Sequence, residues 1–293
     1  MPVWNGAEYL REAVESILNQ TFPNFEFIVI DDGSTDSTPG ILKSYEDPRL
    51  KVFRQEHAGI VSALNFGVTQ AQADWVARQD ADDVSHPRRL ELQWLSVQER
   101  SDVALCYTNF QILDGQIVRP APARFPRSKA LIALKLCFQC PITHGTVMFR
   151  KSAFRLAGGY QEEERHAEDY SLWTRMVEIG EFVGVSRALL TLRVHQQSVS
   201  RQNQDAQLRL TQEIGIRSCE SVLRLNREEA RRAYEVLNAS PGDRKLREWS
   251  WFLTHCLSDL RWKSAELYAW LLVQTGKTLF PVAESRRKPR QFF

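Results

Sequence analysis

FEFIVIDDGSTDSTPGIL, residues 25–42, decides the fold class. Its first six residues are a continuous β-prone run, the pattern of a strand covered on both faces of a parallel sheet. The run stops abruptly in DDGSTDSTPG, a turn-rich segment that leads into a short helix from about Pro39.

The same alternation surrounds it. Ala7, Leu10, Val14, Ile17 and Leu18 recur at helical spacing, with Asn5 and Glu8 placed as an N-cap and its third-position partner. A strand is expected at 50–53, and a helix from Ile60 carries Ala63, Leu64, Gly67, Val68 and Ala71 on one stripe. A short strand follows at 75–77, and another helix opens near Pro87. Alternating β and α segments with short links predict an open α/β sheet with helices on its faces. NFQILDGQIVR, residues 109–119, has Asp-Gly between two strand-like runs and reads as a hairpin, which makes the sheet mixed. Beyond about His195 the pattern becomes helical, rich in Trp and broken by SPGD at 240–243, so the expected domains are residues 1–200 and an all-α region, 201–293. Only Met1 to Trp4 stand ahead of the first helix, so the first strand is expected to be truncated.

Composition narrows the function classes. The 293 residues carry 38 basic and 36 acidic side chains, a mixed charge without the field that favours nucleic acid. Five Cys fit reduced thiols better than a disulfide framework. Cys137 and Cys140 form a lone CxxC inside the apolar ALIALKLCFQCPI and are expected in a core. MPVWNGAEYL has neither a basic nor an apolar leader region, and no run approaches the ~20 apolar residues of a spanning helix. The basic terminal ESRRKPRQFF could touch an anionic membrane or be solvated.

Two acidic clusters follow strands, where open α/β sheets gather their ligands. Asp31 and Asp32 end the strand already quoted; Asp80, Asp82 and Asp83 follow Trp75–Ala77 in WVARQDADD. If 80–82 is extended, Asp80 and Asp82 share a side. Two hard oxygen ligands suit Mg²⁺ or Mn²⁺ completed by water and phosphate. An EF-hand reading fails because the sixth position is Ser85 rather than Gly.

Residues 1–42, then ARQDADDVSHPRRLELQ (77–93), HGTVMFRKSAFRLAGGYQE (144–162) with AEDYSLWTRM (167–176), and LRVHQQSVSR (192–201) resemble the successive motifs of family 2 glycosyltransferases. The likeness spans about residues 1–200; the helical remainder resembles nothing named. It implies a GT-A fold and inverting transfer from a nucleotide-activated sugar, with a UDP-sugar as donor, to a glycan or lipid-linked acceptor. It further implies that Asp32, with Asp31 beside it, recognises the base and that Pro2 and Val3 line the nucleotide pocket. Asp80 and Asp82 match the metal and nucleotide positions of the DXD motif, Asp83 supporting the turn. Arg78 becomes a ribose or phosphate contact, or else a surface ion pair to Asp82. Glu168 and Asp169 match the "ED" at a helix start, where the dipole keeps a carboxylate ionised; Asp169 is then the general base, or the pair only caps the helix. His195 matches a His that approaches metal or diphosphate, or is structural. Gly158, Gly159 and Tyr160 form a turn ahead of the base or a helix C-cap. The implied setting is cytoplasmic, peripheral at the inner membrane face. A truncated first strand leaves a second reading, a weakly active or non-catalytic sugar-nucleotide-binding partner subunit.

Overall fold

The computed structural model describes residues 1–121, 126–195, 204–240, 243–257 and 264–279. A three-stranded parallel sheet opens the chain: β1 (Pro2–Val3), β2 (Phe27–Asp31) and β3 (Leu50–Arg54), in the order β1-β2-β3. Helices α1 (Leu10–Leu18), α2 (Thr38–Lys43) and α3 (Ile60–Gln70) connect and flank it. Leu10, Ala13, Val14 and Ile17 form the buried face of α1. Most of that face packs with Val3, Phe27, Val29, Ile41 and Leu42 in one cluster, which also receives Ala81.

The second sheet is mixed. Its strands are β4 (Trp75–Ala77), β5 (Val84–Ser85), β6 (Val103–Asp114), β7 (Ile117–Pro120), β8 (Val147–Arg150) and β9 (Glu181–Val194), in the order β4-β8-β6-β9-β5 with β7 on β6. β6 and β9 run parallel with bulged register, whereas β6–β7 is the antiparallel hairpin expected from Asp-Gly, with Gly115 at φ 62°. Around it lie α4 (Arg89–Val97), α6 (Lys151–Leu156) and α7 (Glu168–Ile179), and the chain also forms α5 (Lys129–Lys135). The helical remainder comprises α8 (Gln204–Leu223), α9 (Arg227–Asn238), α10 (Leu246–Trp251) and α11 (Ala265–Leu279).

The chain forms two compact units, residues 1–125 with 142–202, and residues 126–141 with 203–293. Pro126–Pro141, which a linear reading leaves in the first domain, groups with the helices because α5 is apolar on nearly every side: Ala130 through Leu134 are all buried. Cys137 is buried there and Cys140 half-buried, and neither forms a disulfide. The basic stretch 284–293 lies outside the described residues.

Two local expectations change, and a third, the short first strand, is met. Helix α1 starts at Leu10, not Ala7, because Asn5 adopts φ 49° and its side-chain Oδ1 accepts from Thr35 N at 2.8 Å and Asp36 N at 3.3 Å instead of capping the helix. Such side-chain competition for nearby backbone donors is usual for Asn. The first strand exists in short form: Pro2 and Val3 pair with Ile30 and Asp31, and the Met1 amine donates to Ile28 O at 2.8 Å. Met1, Ile28, Ile30 and Val76 are among the residues lining a cavity of about 690 Å³. Finally, residues 81 and 82 form a turn rather than a strand continuation, so the acids of DADD converge by chain reversal, not by strand alternation.

Gly180, between α7 and β9, has no room for a side chain: a Cβ would stand 2.7 Å from Asp102 O and 2.9 Å from Ala104 Cβ. Gly180→Ala should therefore destabilise by about 1–3 kcal/mol through overpacking. Gly40→Ala, in α2 with open space around it, should stabilise by about 0.4–1 kcal/mol by restricting the unfolded chain. Urea melts of the two variants should move in opposite directions; equal shifts would contradict the packing described.

Candidate active site

The acidic loop is shaped from beneath by Arg89. This side chain is fully buried, and all five of its N–H groups are used. Nε donates to Gln93 Oε1 at 3.1 Å, Nη1 to Gln79 Oε1 at 3.0 Å and Ser85 Oγ at 2.9 Å, and Nη2 to Arg78 O at 2.7 Å and Val147 O at 3.2 Å. Gln79 then spans the loop, its amide donating to Asp80 O at 3.0 Å and Asp83 O at 2.8 Å. The backbone on either side of the turn is thus held by one buried cation and one amide.

Carboxylate oxygens of Asp80, Asp82 and Asp83 lie within 4.8 Å of one another. Asp83 faces inward, accepting from Arg193 N at 2.9 Å; burial, then repulsion from Asp82, pushes its carboxyl up to about 7. Asp82 is paired with His195, Nε2 to Oδ2 at 2.9 Å. Arg78 is only 5% exposed, not a surface residue, and its partner is Asp80 rather than Asp82. The Arg78 Nη1 is ion-paired with Asp80, and its buried Nε has no acceptor among the described residues. Gly145 closes the other side: a Cβ there would sit 3.0 Å from Asp83 Oδ2 and 3.2 Å from Asp80 Oδ2. Three hard oxygen donors so close together suit a small divalent cation.

A second acidic group opens α7. Glu168 is buried and accepts from His166 N at 2.7 Å, with His166 at φ 80°; Asp169 accepts from Tyr170 N at 2.7 Å. Burial first, and the Glu168 charge second, raise the Asp169 carboxyl to about 7, against the pull of Arg78. The helix dipole does not keep it in the ordinary carboxylate range, because desolvation outweighs it. Nearby, Tyr160 Oη and His144 Nε2 are 2.8 Å apart, and burial, then Arg78, holds the His144 imidazole neutral. Gly158 and Gly159, at φ 81° and 67°, turn the chain after α6, and the Tyr160 backbone is fastened to Asn65 at 3.2 and 2.9 Å. The charge of Arg78 bears on both groups, being felt by Asp83 and Asp169 alike.

At the end of β2, Asp31 is buried and accepts from Ser34 N at 2.9 Å, with Arg54 at 3.3 Å. Asp32 serves loop 55–59: its carboxylate accepts from Gln55 Nε2 at 2.6 Å, Ala58 N at 2.9 Å and Gly59 N at 2.9 Å, with His57 Nδ1 at 2.9 Å. Its oxygens are thus engaged by the protein. Trp4, 54% exposed, stacks on His57 at 4.5 Å and offers a flat apolar face beside that loop. Val3 O accepts from Asp32 N at 2.9 Å, tying β1 to the same corner.

Sequence reading overlooked Arg89, Gln79, Trp4, His57 and His144. Arg89 stands in HPRRLELQ, which looks like a solvated charged helix start, and nothing local distinguishes it from Arg88. Trp4 carried a signal, a large aromatic between a strand and a turn.

Residues 1–156 match the family described as glycosyl transferase family 2. The putative glycosyltransferase EpsE of Bacillus subtilis is 36% identical over 61% of this chain and 66% of its own length. This chain spans less than two thirds of the curated relatives it matches. Among solved structures, S. aureus TarS 1-349 in complex with UDP-GlcNAc superposes with a TM-score of 0.65 at 19% identity, covering 95% of this chain and 79% of that one. The mannosyltransferase PcManGT of Pyrobaculum calidifontis, in complex with GDP-Man and Mn²⁺, gives 0.57 at 16% identity, covering 95% and 85%. These likenesses show the expected α/β GT-A architecture.

Arg89→Met should unfold the loop's support. It removes the donor from Arg78 O, Gln93 Oε1 and Ser85 Oγ, while Val147 O keeps the Arg78 N–H and Gln79 Oε1 the Ser85 hydroxyl, so the loss should be roughly 3 kcal/mol or more. A urea melt showing less than about 1 kcal/mol would mean that other donors replace it.

Proposed function

This chain belongs to glycosyl transferase family 2, and on that premise we propose that it transfers a sugar, with inversion, from a nucleoside-diphosphate donor to an acceptor hydroxyl. The observation that carries the reading is the pairing of two acid groups, Asp80–Asp82–Asp83 and Glu168–Asp169, around the buried guanidinium of Arg78. One group suits a cation and a diphosphate, the other a proton.

Asp80 and Asp82 would hold Mg²⁺ or Mn²⁺, with His195 beside Asp82 as a further ligand once its bond to that carboxylate opens. The cation, when bound, supplies charge neutralisation for the departing diphosphate. Arg78 contributes a second positive charge at the same place. Trp4 offers its face to the base, Asp32 and Asp31 shape that corner through loops 55–59 and 34–36, and the Pro2–Val3 backbone forms its wall. A UDP-sugar is the donor we favour; the nearest support is the UDP-GlcNAc complex of TarS, a different protein. Asp169 takes the acceptor's proton as that oxygen forms its bond to the anomeric carbon. The bond to the diphosphate oxygen breaks on the opposite face, its electron pair leaving with the nucleoside diphosphate, which inverts the centre. Glu168, bonded to His166 N, fixes the turn and keeps Asp169 basic enough to accept.

The acceptor is a hydroxyl of a glycan or lipid-linked glycan, and the setting cytoplasmic, peripheral to the inner membrane face through the basic stretch 284–293. No helix among the described residues is long and apolar enough to cross a membrane. The reading as a non-catalytic binding subunit is less favoured, since the short β1 pairs with β2 and both acid groups are assembled.

Asp169 should act only when deprotonated. With its carboxyl at about 7, kcat should fall about tenfold per pH unit below that point. Asp169→Asn should reduce kcat by roughly 10²–10⁴ and remove that acid limb while sparing donor affinity; undiminished turnover would sink the assignment. Asp82→Ala should abolish metal-dependent nucleotide binding in calorimetry, and an unchanged affinity would count against the cation site.

A further inference from the structure

We infer that Arg78 is a resident counter-cation that closes the metal site until a diphosphate draws it away. This rests on the function proposed above and concerns the order in which its ligands bind. Each carboxylate of the loop already has a partner from the protein: Arg78 for Asp80, His195 for Asp82 and the Arg193 N–H for Asp83. Asp80 is therefore neutralised by a fixed cation before any free one arrives. A divalent ion binding alone must displace that guanidinium or accept its repulsion at close range.

The Arg78 side chain is poorly satisfied where it stands. It is nine-tenths buried, yet its Nε has no acceptor among the described residues. A diphosphate supplies what is missing, since guanidinium matches phosphate oxygens bidentately. Only the side chain is free to make the exchange. The Arg78 main chain is pinned, its N–H to Val147 O at 3.0 Å and its carbonyl by Arg89 at 2.7 Å. Asp80 cannot retreat either, because Gly145 lies against it and Gln79 holds its carbonyl. Arg78 moves from carboxylate to phosphate, and Asp80 then becomes available to the cation.

Mn²⁺ binding, followed by the loss of the free-ion EPR signal with and without UDP or GDP, tests this without measuring transfer. Wild-type protein should bind Mn²⁺ weakly alone and more tightly with nucleotide. Arg78→Met should bind Mn²⁺ alone about tenfold more tightly or better, since an opposing charge is gone, and its gain from nucleotide should shrink correspondingly. Arg78→Lys, which keeps the charge, should follow the wild type in closing the site. If Arg78→Met fails to fold by thermal melt, Arg78→Gln is read in its place. Unchanged or weaker Mn²⁺ binding by the charge-removing variant, beside a wild type that binds Mn²⁺ with nucleotide, overturns this inference alone. A wild type that binds no Mn²⁺ under any condition overturns the cation reading of the function as well.

Discussion

One guanidinium, that of Arg89, fixes the geometry on which everything acidic in this protein depends. A buried cation with no carboxylate in salt-bridge contact is costly, and burial pulls this one down to about 10. It persists because its five donors meet five acceptors drawn from α4, the loop after β4, β5 and β8. Those acceptors are thereby set in one frame, from which the turn of DADD projects. Ala81 completes the frame by packing into the cluster of α1 and β2, leaving Asp80 and Asp82 on either side of it partly exposed.

Above that frame, charge is arranged in opposition. The loop acids repel one another, and the rise of the Asp83 carboxyl records it. Arg78 offsets this from the buried side and reaches the Glu168–Asp169 pair with the same charge. Burial therefore has two opposite uses within one site. It strengthens the pull of Arg78 on its neighbours, and it lifts Asp169 toward neutrality, where a carboxylate exchanges protons readily. The strained φ of His166, directly ahead of the pair, is consistent with a backbone held for function by its surroundings.

Much of this was legible because it is local. The apolar run Phe27–Ile30, the stripe of α3 and the Asp-Gly of the hairpin each carry their own period or turn chemistry. What failed was also physical. Asn5 had two sets of backbone donors within reach and took those of Thr35 and Asp36, a choice set by the fold of residues 30 positions away. Residues 80–82 read as a strand continuation because alternation ignores the pull of Gln79 and Arg89 on the neighbouring carbonyls. The parallel pairing of β6 with β9 and the grouping of Pro126–Pro141 with the helices are long-range packing choices that no window of sequence contains. Arg89 was invisible for the same reason, its five partners being spread over residues 78–147.

The central claim is that this acid frame binds a nucleoside diphosphate through a divalent cation. The most direct measurement is a thermal-shift panel of UDP-, GDP- and TDP-sugars, each with and without Mn²⁺. The account predicts stabilisation that needs both the metal and one nucleotide, with UDP-sugars giving the shift. Melting temperatures that stay fixed across every combination would contradict it.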